Sequence, residues 1–237
     1  MKRICVITGT RADYGLLHWV MEGIRDSQHL ELQLVATGMH LSPEFGKTEY
    51  EIIEDGFEVY DKIEMLVSSD TKVAMIKSIG IGMIGFSDCF DRLSPDLVIC
   101  LGDRFEIFAA VYSASLLNIP IAHIHGGELT YGAVDDQLRH AITKASSLHF
   151  PVTEIYKNRI IQMGENPKTV INVGALAVER IAKVKKLSMD ELKIRINIPL
   201  KEGYLLVTIH PPTQGNIDIN FFINEIFTAL EKFDSMF

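Results

Sequence analysis

The densest group of chemistry-bearing side chains in this chain is His123-Ile124-His125-Gly126-Gly127-Glu128, followed by Asp135-Asp136 at the head of a segment carrying Arg139, His140 and Lys144. Carboxylates beside imidazole and guanidinium groups suit acid–base chemistry at carbon or at a glycosidic oxygen. One group must take a proton while another gives one or holds negative charge. The two glycines let the backbone approach a ligand closely. His123 and His125 alternate in phase, which predicts both on one face of a strand. Asp135 also fits a helix N-cap, and Arg139 and His140 a solvated face, but so many polar groups together favour a functional role. The spacing has no HxxxH or HExxH pattern, so no metal ligand set and no cofactor are expected.

Two further groups could contribute. Gly102-Asp103-Arg104-Phe105-Glu106 follows an apolar run, where Asp103 fits either a catalytic or ribose-binding carboxylate or the N-cap of the next helix. Gly9-Thr10-Arg11-Ala12-Asp13-Tyr14-Gly15 leads into a helical pattern. A helix N-terminus with an adjacent Arg suits phosphate or carboxylate, although the loop matches neither GxGxxG nor Walker A spacing and also fits a tight turn with a surface Arg. His210, before Pro211-Pro212, is by position alone more structural than catalytic.

These groups all follow short apolar runs, and that ordering indicates what must hold them. Strands are predicted at 4–8, 32–37, 97–101, 120–124, 148–150, 170–173 and 204–209, with 9–13 as a turn after the first. Helical periodicity follows at Leu17, Val20, Met21 and Ile24, over 71–92, and at Phe105, Phe108, Ala109 and Tyr112; further helices are predicted at 135–146, 154–163 and 189–196. The alternation predicts an α/β fold with a parallel sheet and right-handed crossovers, in which ligands bind beyond the carboxyl ends of the strands. A boundary is expected within 174–188, giving domains 1–178 and 179–237. The residues from 189 onward are too few for a second nucleotide-binding domain.

Composition narrows the partners. The 237 residues carry 23 Lys+Arg against 31 Asp+Glu, a formal charge of −8, with 47% hydrophobic and 23% charged residues. That is a globular composition, and its acidity argues against nucleic acid. The most apolar stretch, 73–86, contains Lys77 and three glycines and falls short of the ~20 apolar residues of a membrane span, so it is predicted as a buried helix. Cys5, Cys89 and Cys100 form no CxxC pair, and a reduced, cytoplasmic protein is expected.

Taken together, the motifs from Met1 to about Pro212 resemble the hydrolysing UDP-N-acetylglucosamine 2-epimerase family. The resemblance rests on the first loop, Thr37-Gly38-Met39-His40-Leu41-Ser42, Leu101 to Glu106, His125 to Glu128, Asp135 to Lys144, and His210-Pro211. It implies the two-domain glycosyltransferase-B architecture, with a cleft between Rossmann-like halves. It also implies elimination of UDP to a 2-acetamidoglucal, then hydration to N-acetylmannosamine for sialic acid synthesis. By position, Asp103 and Asp135 match catalytic carboxylates, His210 the second domain's histidine, and Arg11 the nucleotide-phosphate arginine. Gly9, Thr10, Arg104, Arg139 and His40 are expected to contact substrate.

This sequence departs from the family twice. Where some members have a catalytic Glu ahead of the glycines, it has His125, so either His125 moves the proton or Glu128 takes part of that role. The family's second-domain Gly-Ser loop and Glu have no counterpart up to Phe237, so poor turnover by these residues alone is expected. The implied partner is a UDP-sugar, with no nucleic acid or membrane, and a homo-oligomer is expected for the full-length protein. Alternatives are a hydrolysing epimerase of a UDP-2,4-diacetamido-2,4,6-trideoxyglucose for legionaminic acid, and a non-catalytic nucleotide-binding or interaction module.

Overall fold

The computed structural model describes residues 1–198, 200, 204, 206–209 and 218–232. Six strands form one fully parallel sheet: β1 (Lys2–Thr8), β2 (Leu30–Thr37), β3 (Val59–Ile63), β4 (Leu97–Leu101), β5 (Ile121–Ile124) and β6 (Leu148–Phe150). Their order is β3-β2-β1-β4-β5-β6, so the chain reverses direction across the sheet between β1 and β4. That reversal opens a crevice at the carboxyl ends of the strands. The predicted α/β fold with a Rossmann-like parallel sheet is therefore present.

The helices are α1 (Arg11–Arg25), α2 (Glu49–Glu54), α3 (Lys72–Leu93), α4 (Phe105–Leu116), α5 (Asp135–Ala145), α6 (Glu154–Gln162), α7 (Leu176–Lys183), α8 (Met189–Ile196) and α9 (Ile219–Leu230). Alternation along β1 sends Cys5 and Ile7 into a core with Phe86, Phe90 and Ile107, and Ile4 and Val6 into a second core with Leu17, Met21 and Ile52. Both faces of the central strands are thus covered, which explains their unbroken apolar runs. The three cysteines are free and buried.

Several expectations need correction. The turn expected at 9–13 is short, because α1 already begins at Arg11 with Thr10 as its N-cap. Strand β3 was not predicted: it is an edge strand whose Asp61 and Lys62 interrupt the apolar pattern and pair with Arg92 and Glu49. Segment 170–173 makes only an isolated bridge from Val170 to His149, with N–H bonds from Ile171 to His149 O (2.9 Å) and from Val173 to Pro151 O (3.1 Å). The described residues of 204–209 adopt no strand. Helix α3 is only partly buried: Ala74, Ser78, Gly82, Phe86, Cys89 and Phe90 pack inward, while Val73, Ile76 and Ile84 are exposed. By length and composition alone α3 could cross a membrane (mean hydropathy 1.4), but its inner face is committed to the core.

Contacts group Met1–Thr130 and Asp135–Ala182 into one unit, which holds the whole sheet, and Tyr131–Val134 and Lys183–Phe237 into another. In the second, α8 begins with a capping box between Ser188 and Glu191, and Asp218 caps α9.

Candidate active site

Three loops leave the carboxyl ends of the adjacent strands β1, β4 and β5, and each carries predicted site residues. After β1, Thr10 and Asp13 form a capping box. The buried Asp13 carboxylate accepts from Gly9 N (2.8 Å) and Thr10 N (2.7 Å). The backbone donors expected to meet an anion at Gly9 and Thr10 are therefore already occupied. Arg11 stands exposed and pairs with Glu51 (3.0 Å). His40 is fully buried beneath the loop, touching Thr8 Oγ1 (3.0 Å) and Thr48 Oγ1 (2.7 Å), and its N–H bonds to Gly9 O (3.3 Å). Burial lowers its pKa, so it acts as a neutral prop for the loop.

After β4 the chain turns at Gly102 (φ +80°), and Arg104 becomes the N-cap of α4 without a side-chain cap bond. Asp103 is thereby relieved of the capping role it could have had. Its carboxylate pairs with Arg139, which also donates to Thr130 Oγ1 (3.0 Å). Burial raises the Asp103 pKa; Arg139 opposes this, and the negative charges of Asp135 and Glu128 add to the rise. Arg104 folds onto the fully buried Glu106 (2.9 Å), a residue that position alone did not single out. Glu106 also fills the space against Gly38 (φ +56°), where a Cβ would lie 2.9 Å from its Oε1. Arg104 and Phe105 border a mostly apolar cleft of about 830 Å³, lined also by Met39, Phe45, Val67 and Met75.

After β5 the expected in-phase histidines separate. His123 ends inside the fold, whereas His125 lies beyond the strand at φ +66°, a left-handed conformation that breaks the alternation. His125 Nδ1 lies 3.0 Å from Glu128 Oε1, bringing together the two groups that were alternative proton carriers. His123 donates Nε2–H to Gly102 O (2.7 Å), which leaves Nδ1 to accept from Thr143 Oγ1 (3.1 Å). Burial drives its pKa down to about 3. This neutral imidazole ties β5 and α5 to the turn that presents Asp103. The glycines have a packing reason of their own: a Cβ on Gly126 would meet His123 and Thr143, and one on Gly127 (φ +79°) would lie 2.6 Å from Tyr156 O.

Asp135 opens α5, and its charge reaches Asp103. Asp136 accepts from Thr130 N (2.9 Å) and stands 3.7 Å from Arg139 Nη1. Lys144 instead pairs with Glu165. Three buried polar atoms at this edge have no hydrogen-bond partner: His125 Nε2, Arg139 Nη1 and His140 Nδ1. His210 lies outside the described residues.

A family model for UDP-N-acetylglucosamine 2-epimerase matches residues 22–236. A GDP/UDP-N,N'-diacetylbacillosamine 2-epimerase (hydrolyzing) of Campylobacter jejuni is 41% identical over 99% of this chain and 60% of its own length. A UDP-N,N'-diacetylbacillosamine 2-epimerase (hydrolyzing) of Legionella pneumophila is 39% identical over 93% and 59%. The crystal structure of Methanocaldococcus jannaschii UDP-GlcNAc 2-epimerase in complex with UDP-GlcNAc and UDP shares the fold with TM-score 0.79 and 21% identity, over 98% of this chain and 64% of that one. The chain spans about 60% of the length of the curated relatives it matches. It belongs to the UDP-N-acetylglucosamine 2-epimerase family.

Proposed function

We propose that the chain supplies the acid–base half of a hydrolysing sugar-nucleotide 2-epimerase, with UDP-N,N'-diacetylbacillosamine, a 2,4-diacetamido-2,4,6-trideoxyglucose, as substrate. Asp103 carries the reading. It is a carboxyl at the sheet's switch point, free of capping duty, pushed toward its protonated form by burial and two neighbouring acids, and steadied by Arg139. A carboxyl whose proton is held more tightly than usual, beside a cation that favours its ionised form, can both take and return a proton.

In this reading Asp103 removes the C2 proton as the bond from C1 to UDP breaks, leaving a glycal. Water then adds, its oxygen to C1 and a proton to C2 from the opposite face, releasing the free 2-epimer. Asp135 and the His125–Glu128 pair handle the second proton, and His210 is assigned to the same chemistry by the sequence resemblance alone. Arg11 and Arg104 form the phosphate side, with Arg11 exchanging Glu51 for diphosphate, over the loop that Gly9, Thr10 and the buried His40 hold in shape. Arg139 keeps Asp103 ionisable. The diacetamido sugar is favoured by the names of the two relatives at 41% and 39% identity. UDP-N-acetylglucosamine, giving N-acetylmannosamine, is the second reading and is favoured by the family description.

The activity is assigned to the whole protein, and the 237 residues alone are expected to turn over UDP-sugars poorly. The test joins this chain to the portion of the Campylobacter jejuni relative that it does not match and follows both UDP-sugars in D₂O. UDP release and proton NMR are expected to show a free, 2-epimerised diacetamido sugar deuterated at C2. Asp103→Asn is expected to lower kcat by roughly 10²–10⁴ with the fold intact. Full activity in that variant removes Asp103 from the reaction, and a UDP-linked product makes the chemistry non-hydrolysing.

A further inference from the structure

The carboxyl end of the sheet has a second half that the proposed chemistry leaves unused. The loops after β2, β3 and β4, all within the sheet-bearing unit, enclose the apolar cleft of about 830 Å³. Met39 and Phe45 come from the first loop and Leu66 and Val67 from the second, while Phe105 opens α4 directly after Asp103 and Arg104. Met75, on the first turn of α3, completes the lining. Phe45 is exposed and the other five are half-buried, so each keeps part of its apolar surface open. A cleft of this volume is ligand-sized, and its carbon-rich lining suits an apolar group.

Charge narrows the kind of ligand. Glu44 and Asp70 stand exposed at the rim, against a single lining cation, Arg104, which is already folded onto Glu106 (2.9 Å). A second anionic nucleotide would therefore meet two carboxylates. Ser68 Oγ donates to Glu44 (2.6 Å) and ties the loops after β2 and β3 together at the rim. These acids, with the Ser42 and Ser68 hydroxyls, offer acceptors and donors to an amide. The cleft thus suits a neutral group that carries methyls and an amide.

The substrate proposed above has such a group. In a pyranose, C4 and C5 lie across the ring from C1 and C2. With C1 and C2 held at Asp103, the 4-acetamido group and the C6 methyl form the far edge of the sugar. UDP-N-acetylglucosamine carries a hydroxyl and a hydroxymethyl at the same places, and an apolar lining desolvates those at a cost. We propose that the cleft receives this far edge, seating the two methyls among Met39, Val67, Met75 and Phe105, and so selects the diacetamido sugar over N-acetylglucosamine. This assignment rests on the hydrolysing-epimerase reading, and its test tells the two apart.

In the first measurement, the 237-residue chain with ¹³C-methyl-labelled methionine is titrated by NMR with the UDP-diacetamido sugar, UDP-N-acetylglucosamine and UDP. The Met39 and Met75 signals are expected to shift with the diacetamido sugar, less with UDP-N-acetylglucosamine and not with UDP, while that of the buried Met21 stays in place. In the second, Met75→Gln and Val67→Thr add polarity at constant size to the joined protein described above. Each should lower kcat/KM for the diacetamido substrate about tenfold, chiefly through KM, and lower its ratio to that for UDP-N-acetylglucosamine. Circular dichroism checks that the variants fold. An unchanged ratio, no shift at either methionine, or an equal shift with UDP alone overturns the proposal and leaves the hydrolysing reading intact. Methionine shifts in a protein that releases UDP from neither sugar overturn that reading and leave the cleft assignment standing.

Discussion

Arg139→Met removes the cation facing Asp103 while keeping most of the stem's volume. The Arg139 side chain is 7% exposed and that of Asp103 20%, so water replaces only part of the lost charge. Breaking a buried pair from one side costs ~3–5 kcal/mol; with a fifth of Asp103 in water, about 3 kcal/mol is expected near neutral pH. The loss carries a pH signature. Asp103 is raised above its unfolded value, so the fold binds its proton more tightly. Stability therefore falls as pH rises from about 3.9 through the folded pKa, and is flat above it. Without Arg139 the folded pKa climbs further, and the variant's deficit grows toward alkaline pH and shrinks toward acid. Asp103→Asn combined with Arg139→Met should recover about 1–2 kcal/mol over Arg139→Met alone, because no uncompensated carboxylate remains. Chemical denaturation of all four proteins of this cycle, in acid and alkaline buffers, measures both effects. A deficit independent of pH, with a coupling energy near zero, would refute the view that Arg139 sets the charge state of Asp103.

Other expectations follow from the same edge of the sheet. His123, held neutral with a pKa near 3, stays unprotonated as acid charges it in the unfolded chain. Stability should thus fall by about 1.4 kcal/mol per pH unit as pH drops below about 6.5, and His123→Asn should flatten that slope in acid titrations of unfolding. Gly127→Ala places a Cβ 2.6 Å from Tyr156 O at φ +79°, so a loss of about 2 kcal/mol or more is expected in thermal unfolding. Gly38→Ala should cost about 1–3 kcal/mol, because its Cβ meets the Glu106 carboxylate at φ +56°.

The central strands β1, β4 and β5 were legible because both of their faces are covered and the apolar run shows directly in the residues. Edge strand β3 was not, since ion pairs with neighbouring elements decide its Asp61 and Lys62. The side chains gathered at this edge of the sheet were legible as a group, and their wiring was not. Alternation put His123 and His125 on one face, but a single left-handed residue separated them, and nothing local in the sequence marks that turn. Gly126 and Gly127 announced close approach, and within the chain they approach His123 and the backbone of α6. Asp13 had a readable signal in its place three residues after Thr10. Glu106 had none, because its partners Arg104 and Gly38 arrive from two different loops.

The carboxylate of Asp13, seated on the N–H groups of Gly9 and Thr10, bears on what happens between visits of a ligand. A cradle of bare amides keeps its shape only while an anion sits in it, and each departure strands the donors. Here the tenant is built in. The loop is held by its own side chain, so on the proposed function a diphosphate need not organise it. The cost is a carboxylate at the threshold, and on the same proposal attraction of the ligand falls to exposed cations such as Arg11. Order and affinity at this loop are thus assigned to different residues, and either can be changed without the other.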